Sequence, residues 1–339
     1  MSGSNNKQRW DRLLENFRGF GGIAENVIQR PGPLGLGLFP IEPTKPIELR
    51  VPQHLLIPVE RIALQDGAVI LKNDTGFPQG YADWFESFQA NYSWGAEARQ
   101  HIQAFENSLQ SLPSTLREQL SLLGLDSRIS QTPQTTNQQH AFNRFIKTRQ
   151  ISFNNSMVLM PIIELINHSP QGKTWNMDNN SIAVSGSFDN EILVRYSISD
   201  PLRRLMQYSF NCKEPTGFSV NLNLKLSNLT IVVKGGINFQ PEKPCRVTSM
   251  YDKIYIDRPL LGSVGSPGAP NILFQKSLKN FNIDADELFE KIHHLNRIAL
   301  IQILKDLETV PGAFSSQLRT ACLNQLIVLS CHLNRQGHF

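Results

Sequence analysis

The sequence lacks the marks by which several protein classes are recognised. Its four cysteines, Cys212, Cys245, Cys322 and Cys331, stand far apart with no Cys-x-x-Cys pair. That spacing argues against a zinc knuckle or a disulfide framework and fits a reducing compartment. No apolar run is long enough to span a bilayer, so no membrane-spanning segment is expected. The opening MSGSNNKQRW is polar with no apolar core, so no cleaved signal peptide is expected. The expected location is cytoplasmic, or outside the cell by a route that uses no such signal. Charge is also sparse. Asp, Glu, Lys and Arg make up 18% of the chain, against about a quarter in an average protein. The net charge of +4 is mild and its cations are scattered, so no nucleic-acid partner is expected. His293 and His294 are adjacent in a helical pattern, which makes their rings diverge, and no other ligand cluster stands out, so no metal is expected.

What the chain does have is apolar mass in patterned segments. With 339 residues, 40% of them hydrophobic, it can bury a substantial core in two or three domains. Trp10, Leu13, Leu14 and Phe17 predict a short amphipathic helix before Gly19. Short strands punctuated by Gly and Pro follow: Ala24 to Gln29, Leu34 to Phe39, and Ile47 to Pro52. From Val59 the pattern reads as helical or irregular. Between Pro78 and Gly124 it is helical, with Tyr81, Trp84, Phe85 and Phe88 on one stripe and Ile102, Phe105, Leu109 and Leu112 on another. The tract Ser127 to Gln139 reads as an exposed loop, and His140 to Arg149 as a further helix with Phe142, Phe145 and Ile146 inward. After Ser169 the chain reads as turns to Asn180, then strands at Ser181–Val184 and Glu191–Tyr196. Asp200-Pro201 predicts a helix start with an Asp cap and Pro at the first position. Strands are expected over Phe218–Leu226 and Leu229–Val233, an irregular join over Pro241–Pro270, and helices from Asp284, with a capping box to Glu287, and over Leu318–Leu333.

The stretch Leu159 to Ser169, LMPIIELINHS, stands apart. It places Glu164 within an apolar run and ends it with Asn167-His168-Ser169, hydrogen-bonding side chains in a dry setting where such bonds are strong. By itself it could be a capped turn with a core histidine. Gly35 and Gly37 could be a strand-turn pair, or could let backbone approach a ligand with no Cβ in the way. Arg149 could be a solvated helix-end arginine or an anion ligand. Tyr208 could be a core aromatic of the helix from Pro201 or a functional hydroxyl.

Taken in chain order, these pieces resemble the SET-domain protein methyltransferases, in the branch typified by the Rubisco large-subunit lysine methyltransferase. Leu34-Gly35-Leu36-Gly37-Leu38-Phe39 with Leu49-Arg50-Val51-Pro52 is similar to that family's opening Gly-x-Gly strand pair. Thr148-Arg149 resembles its Ser-Arg step. Met160 to Ser169 resembles its Asn-His motif, with Glu164 where the family usually has Asp. Tyr196, Ser199-Asp200 and Tyr208-Ser209-Phe210 resemble its closing Tyr, Ser-Asn and Tyr-Gly-Phe signature. The resemblance spans roughly Gly19 to Leu226, and it is the order and spacing that make it specific. There are departures. Ser209 replaces a Gly, and Asp200 replaces an Asn. A channel tyrosine usual after the Asn-His motif has no counterpart, since Trp175 is the only aromatic between His168 and Phe188. Another, usual beyond the Tyr-Gly-Phe step, is also missing, with Phe218 nearest.

The resemblance implies S-adenosylmethionine as cofactor and a protein or peptide as substrate. It implies cofactor contacts from Gly35, Leu36, Gly37, Arg149, Asn167, His168 and Tyr208. Tyr208 would be catalytic, Tyr196 and Phe210 would line the substrate channel, and Glu164 would hold the backbone amides of its turn. The fold expected is α+β: a β-rich SET domain over residues 1–240 with a helical insertion at about 78–149, then an all-helical substrate-binding-like domain over 241–339. The function expected is methyl transfer to a protein side-chain amine, most naturally lysine. Histidine or an N-terminal amine as acceptor stays open, as does a SET-like binding protein that has lost turnover.

Overall fold

A computed structural model describes residues 2–125, 137–226 and 229–331. The fold is α+β, built from small, mostly antiparallel sheets and helices. By packing, the chain forms two compact units. The first comprises Met1–Glu106 and Thr135–Tyr196, the second Asn107–Gln134 and Ser197–Phe339. The division expected at residue 240 follows motif order, whereas these units follow packing.

In the first unit the helix Ser2–Gly19 buries Trp10, Leu13, Leu14 and Phe17, the face that the apolar spacing predicts. Its Trp10 Nε1 donates to the Val27 carbonyl at 3.0 Å, so the indole is satisfied where it is buried. The helix Tyr81–Tyr92 buries Tyr81, Trp84, Phe85 and Phe88. Trp84 stacks on Phe17 and Phe88 at 5.4 and 5.6 Å between ring centroids. Each such ring pair contributes roughly 0.5–1.5 kcal/mol beyond area burial. The same unit holds a four-stranded antiparallel sheet in the order Ile23–Glu25, Ile47–Pro52, Ser181–Gly186 and Asn176–Met177. The chain also forms a hairpin of Val27–Gly32 with Gly35–Pro40.

Parts of this unit differ from the sequence reading, and of the expected strand Glu191–Tyr196 only Leu193–Val194 forms. Ile62–Gln65 and Ala68–Leu71 form a hairpin where helix or irregular chain is expected. Its loop is Asp66-Gly67, both at positive φ (49° and 82°), the left-handed pair that a tight two-residue hairpin requires. The stretch after Ser169 is a strand, Asn167–Lys173, rather than turns. It runs parallel to the short strand Leu193–Val194, an interaction between distant segments that leaves no local sequence pattern.

In the second unit Pro201–Tyr208 is a helix with Asp200 as its cap and Pro201 at its start, as expected. A four-stranded sheet runs in the order Leu222–Leu226, Leu229–Lys234, Lys253–Asp257 and Arg246–Met250. The expected irregular join over Pro241–Pro270 is therefore in large part strand, with Leu260–Ser263 pairing to Thr216–Phe218 besides. Most of Arg246–Met250 is exposed on both faces, so it carries no alternation to read. The helical C-terminal region then comprises Ala269–Leu278, Ala285–Asp306 and Ala313–Ser330. The Asp284 carboxylate accepts from the Glu287 N–H at 3.0 Å, the predicted cap. His293 is buried, with Nε2 2.7 Å from the Leu329 carbonyl, so it is a satisfied core histidine. Most of the expected loop Ser127–Gln139, and the last residues of the expected helix Leu318–Leu333, lie outside the described residues. Among the described residues no helix is long and apolar enough to cross a membrane.

Candidate functional site

The stretch Leu159–Ser169 is almost wholly buried. Ile162 has φ 68° and ψ −53°, a conformation that a β-branched residue adopts only at a cost of roughly 1–3 kcal/mol. It turns the chain sharply into the short 3-10 helix Ile163–Leu165. That turn carries the Glu164 side chain inward, where Oε1 accepts from Ser93 Oγ at 2.6 Å and from Gln89 Nε2 at 2.9 Å. These partners belong to the helical insertion, not to the turn's own amides, so the expected role of Glu164 is corrected. Its carboxylate ties the insertion to the Asn-His stretch. Glu164 Oε2 has no hydrogen-bond partner. Burial pushes the carboxyl pKa up, opposed by Arg149 and by the two hydrogen bonds.

Arg149 ends the helix Asn137–Arg149. Its guanidinium lies 4.2 Å from the centre of the Phe145 ring, and one terminal nitrogen donates to Thr148 Oγ1 at 3.1 Å. The buried Nε has no partner. Burial lowers the Arg149 pKa, and the negative charge of Glu164 opposes the shift. Arg149 is thus not a solvated helix end but a half-buried cation whose Nε has no partner.

Asn167 opens the strand Asn167–Lys173. Its Nδ2 donates to the Leu36 carbonyl at 3.1 Å and to Glu191 Oε1 at 2.6 Å. A Cβ on Gly37 would lie 2.7 Å from Asn167 Nδ2 and would collide with Glu191 Oε1. A side chain at residue 37 would have to displace these two side-chain ends, which lie against the Gly37 backbone. Gly35 is needed for a different reason: its φ is +95°, a conformation that L side chains rarely adopt. The space that the sequence reading gives to a ligand beside Gly37 is filled in part by the protein's own amide and carboxylate.

His168 is buried, and its Nδ1 accepts from the Tyr196 N–H at 3.1 Å. The Tyr196 hydroxyl donates to the Ile166 carbonyl at 2.6 Å, so residues on both sides of Asn167 are tied to Tyr196. The rings of His168 and Tyr196 are 5.1 Å apart. Trp175 stacks near-parallel to Tyr196 at 6.4 Å. Trp175 thus supplies an aromatic face in a region where the sequence shows no tyrosine.

In the second unit, Tyr208 lies at the end of its helix with its ring over the Arg204 guanidinium at 4.7 Å and 6.1 Å from the Phe210 ring. Arg204 is fully buried. Its Nε donates to Glu214 Oε1 at 2.6 Å and one terminal nitrogen to the Ser197 carbonyl at 2.8 Å, a fixed cation beneath the tyrosine. Both departures from the family signature keep a structural role. Asp200 accepts from the Arg203 N–H at 2.8 Å, and an Asp caps a helix as well as an Asn does. Asp200 also forms a buried ion pair with the Arg203 guanidinium. Ser209 has φ 68° and ψ 20° at the helix C-terminus, the left-handed position where Gly is commonest. Burial pushes the Cys212 thiol up to about 11 and the Cys322 thiol up to about 12, so neither is a thiolate nucleophile at neutral pH.

Within the first unit, then, the Gly35-Leu36-Gly37 strand meets Asn167, and His168 meets Tyr196. The sequence reading missed Gln89, Ser93, Trp175 and Glu191 there, and Arg204 in the second unit. Only Trp175 left a signal, as the lone aromatic of its stretch.

No protein-family profile matches the sequence, and no curated protein matches it. Among solved structures, the chain is similar to the SET domain of LSMT bound to lysine and AdoHcy. The two share 12% identity over 99% of this chain and 90% of that one, with a TM-score of 0.40. It is also similar to Rubisco LSMT bound to AdoMet, at 12% identity over 96% of this chain and 90% of that one, with a TM-score of 0.39. These are proteins of the kind whose motifs the sequence resembles. Likeness at this level leaves function to be argued from the chain's own residues.

Proposed function

We propose that this protein is an S-adenosylmethionine-dependent protein methyltransferase of the SET type, acting on a side-chain amine, with lysine the leading acceptor. The single observation that supports it best is the hydrogen bond from Asn167 to Leu36 at 3.1 Å. It joins two motifs that the resemblance implicates in cofactor binding and that lie 131 residues apart in the chain. The donor set fits the cofactor. Arg149 has a buried Nε without a partner, suited to a carboxylate. The Gly35-Leu36-Gly37 strand and the backbone at Asn167 and His168 are proposed to contact the rest of it.

When bound, the cofactor supplies a methyl carbon activated by a cationic sulfur. The protein's part is to hold the reactants in line and keep water out, because charge is dispersed rather than created. An acceptor lysine has an ordinary pKa of ~10.4 and must shed its proton before it reacts. Apolar surroundings lower that pKa by desolvation. Tyr208 is the proposed catalytic residue, its hydroxyl orienting the amine. Tyr196, Trp175 and Phe210 are proposed to offer aromatic faces to an alkylammonium.

Calorimetry with S-adenosylmethionine tests the reading, and no binding at high micromolar concentration would sink it. Incubation with labelled cofactor and a cell lysate, followed by mass spectrometry, identifies the acceptor as lysine, histidine or an N-terminal amine. Tyr208→Phe should abolish labelling while leaving cofactor affinity within a few-fold of the parent.

A further inference from the structure

We propose that the Glu191 carboxylate is a cofactor-binding group, the anion that takes the α-ammonium of S-adenosylmethionine at the glycine hairpin Val27–Pro40. This rests on the methyltransferase reading and deepens it.

Glu191 is positioned by backbone. The next residue, Ile192, donates its N–H to the Leu38 carbonyl at 2.8 Å, which sets the Glu191 side chain over the hairpin. There its Oε1 lies against Gly37, and its Oε2 is 3.3 Å from where a Gly32 Cβ would stand. Two glycines thus clear the surface on which the carboxylate rests. Oε1 accepts from Asn167 Nδ2 at 2.6 Å, so the asparagine of the Asn-His stretch holds the carboxylate in place. Oε2 makes no hydrogen bond among the described residues, and no Lys, Arg or His there forms an ion pair with this half-buried group. An ionised carboxylate only accepts hydrogen bonds, and one taken partly out of water calls for a cation or further donors.

S-adenosylmethionine carries two cationic groups, and chemistry decides between them. The sulfonium has no N–H to donate, and a carboxylate beside its methyl group would compete as the methyl acceptor. The ammonium has three N–H donors and forms strong charge-assisted hydrogen bonds. Paired with Arg149 for the carboxylate, Glu191 would let opposite charges read the two ends of the amino-acid moiety.

The test uses the full chain, calorimetry and two probes: S-adenosylhomocysteine, and its deaminated analogue in which hydrogen replaces the amino group. The wild type should bind S-adenosylhomocysteine about 10-fold or more tighter than the analogue, as expected for a hydrogen bond to a charged group. Glu191→Gln keeps an oxygen for Asn167 and loses the charge, so it should bind the two probes within about 3-fold of each other, with affinity for the analogue unchanged. Equal loss of both probes, or no loss of either, would overturn the assignment and leave the methyltransferase reading standing. So would a wild type that binds both probes equally, whether or not the variant folds. A wild type that binds neither probe overturns both readings.

Discussion

The Tyr196 N–H donates to His168 Nδ1 at 3.1 Å, which makes Nδ1 the acceptor of a neutral ring and puts the proton on Nε2. The Tyr196 hydroxyl returns to the Ile166 carbonyl. One tyrosine therefore clamps the Asn-His stretch from two directions, with Asn167 between the two ties. His168→Phe keeps a ring but removes the acceptor, so it should cost about 1–3 kcal/mol by stranding a backbone donor. Tyr196→Phe removes only the hydroxyl bond and should cost about 0.5–1.5 kcal/mol. Urea unfolding of both variants checks the order, and a Tyr196→Phe loss larger than that of His168→Phe would contradict it.

Glu164 gives the fold a pH dependence of unusual sign. Its folded pKa is raised, chiefly by burial. The folded protein therefore holds this proton where the unfolded chain has lost it. Stability contributed here is present below the ordinary carboxylate pKa, ~4.3, and is lost as pH rises from there through the folded value. Glu164→Gln cannot titrate, and its side-chain oxygen can still accept from Ser93 and Gln89. The wild type should therefore lose stability relative to Glu164→Gln as pH rises through that window. Denaturant midpoints of both proteins across mildly acidic to neutral pH measure it, and a gap that stays constant would refute the assignment.

Asp200 combines two tasks on one carboxylate, capping the helix at Arg203 N–H and pairing the buried Arg203 guanidinium. Asp200→Ala removes both and leaves a buried cation unpaired, an expected loss of about 3–5 kcal/mol. Asp200→Asn still offers an oxygen to the Arg203 N–H and should lose clearly less. Chemical denaturation separates the two, and equal losses would mean the cap contributes nothing.

Gly35 and Gly37 should fail differently when given a methyl group. Gly35→Ala strains a φ of +95° with nothing closer than 4.0 Å to the new Cβ. It should cost roughly 1–2 kcal/mol whatever stands at residue 191. Gly37→Ala strikes Glu191 and Asn167 instead. Adding Glu191→Ala relieves one of these clashes, so the pair should be non-additive by about 0.5–3 kcal/mol. A double-mutant cycle at each glycine tests this, and equal coupling at both would contradict the geometry.

How much was legible beforehand depends on the range of each interaction. The buried stripes Trp10–Phe17 and Tyr81–Phe88 are local periodicities, and the caps at Asp200 and Asp284 are local chemistry. The Asp66-Gly67 hairpin had an equally local signal that the sequence reading passed over. The strand Arg246–Met250 had none, because its mostly exposed side chains do not alternate.

The sequence by itself determined the mixed α+β class, the helical C-terminal region, and the Asn167-His168 stretch as a place of dry hydrogen bonding. Those rest on the identity and spacing of neighbours in the chain. Only the tertiary structure decided that Glu164 answers to Gln89 and Ser93, that Gly37 gives way to Glu191, and that Asn167 reaches Leu36. The last two of these residues lie 131 positions apart. A hydrogen bond or a missing Cβ acts over a few ångströms of space, and no local pattern in a chain records which distant atoms folding will place within that reach.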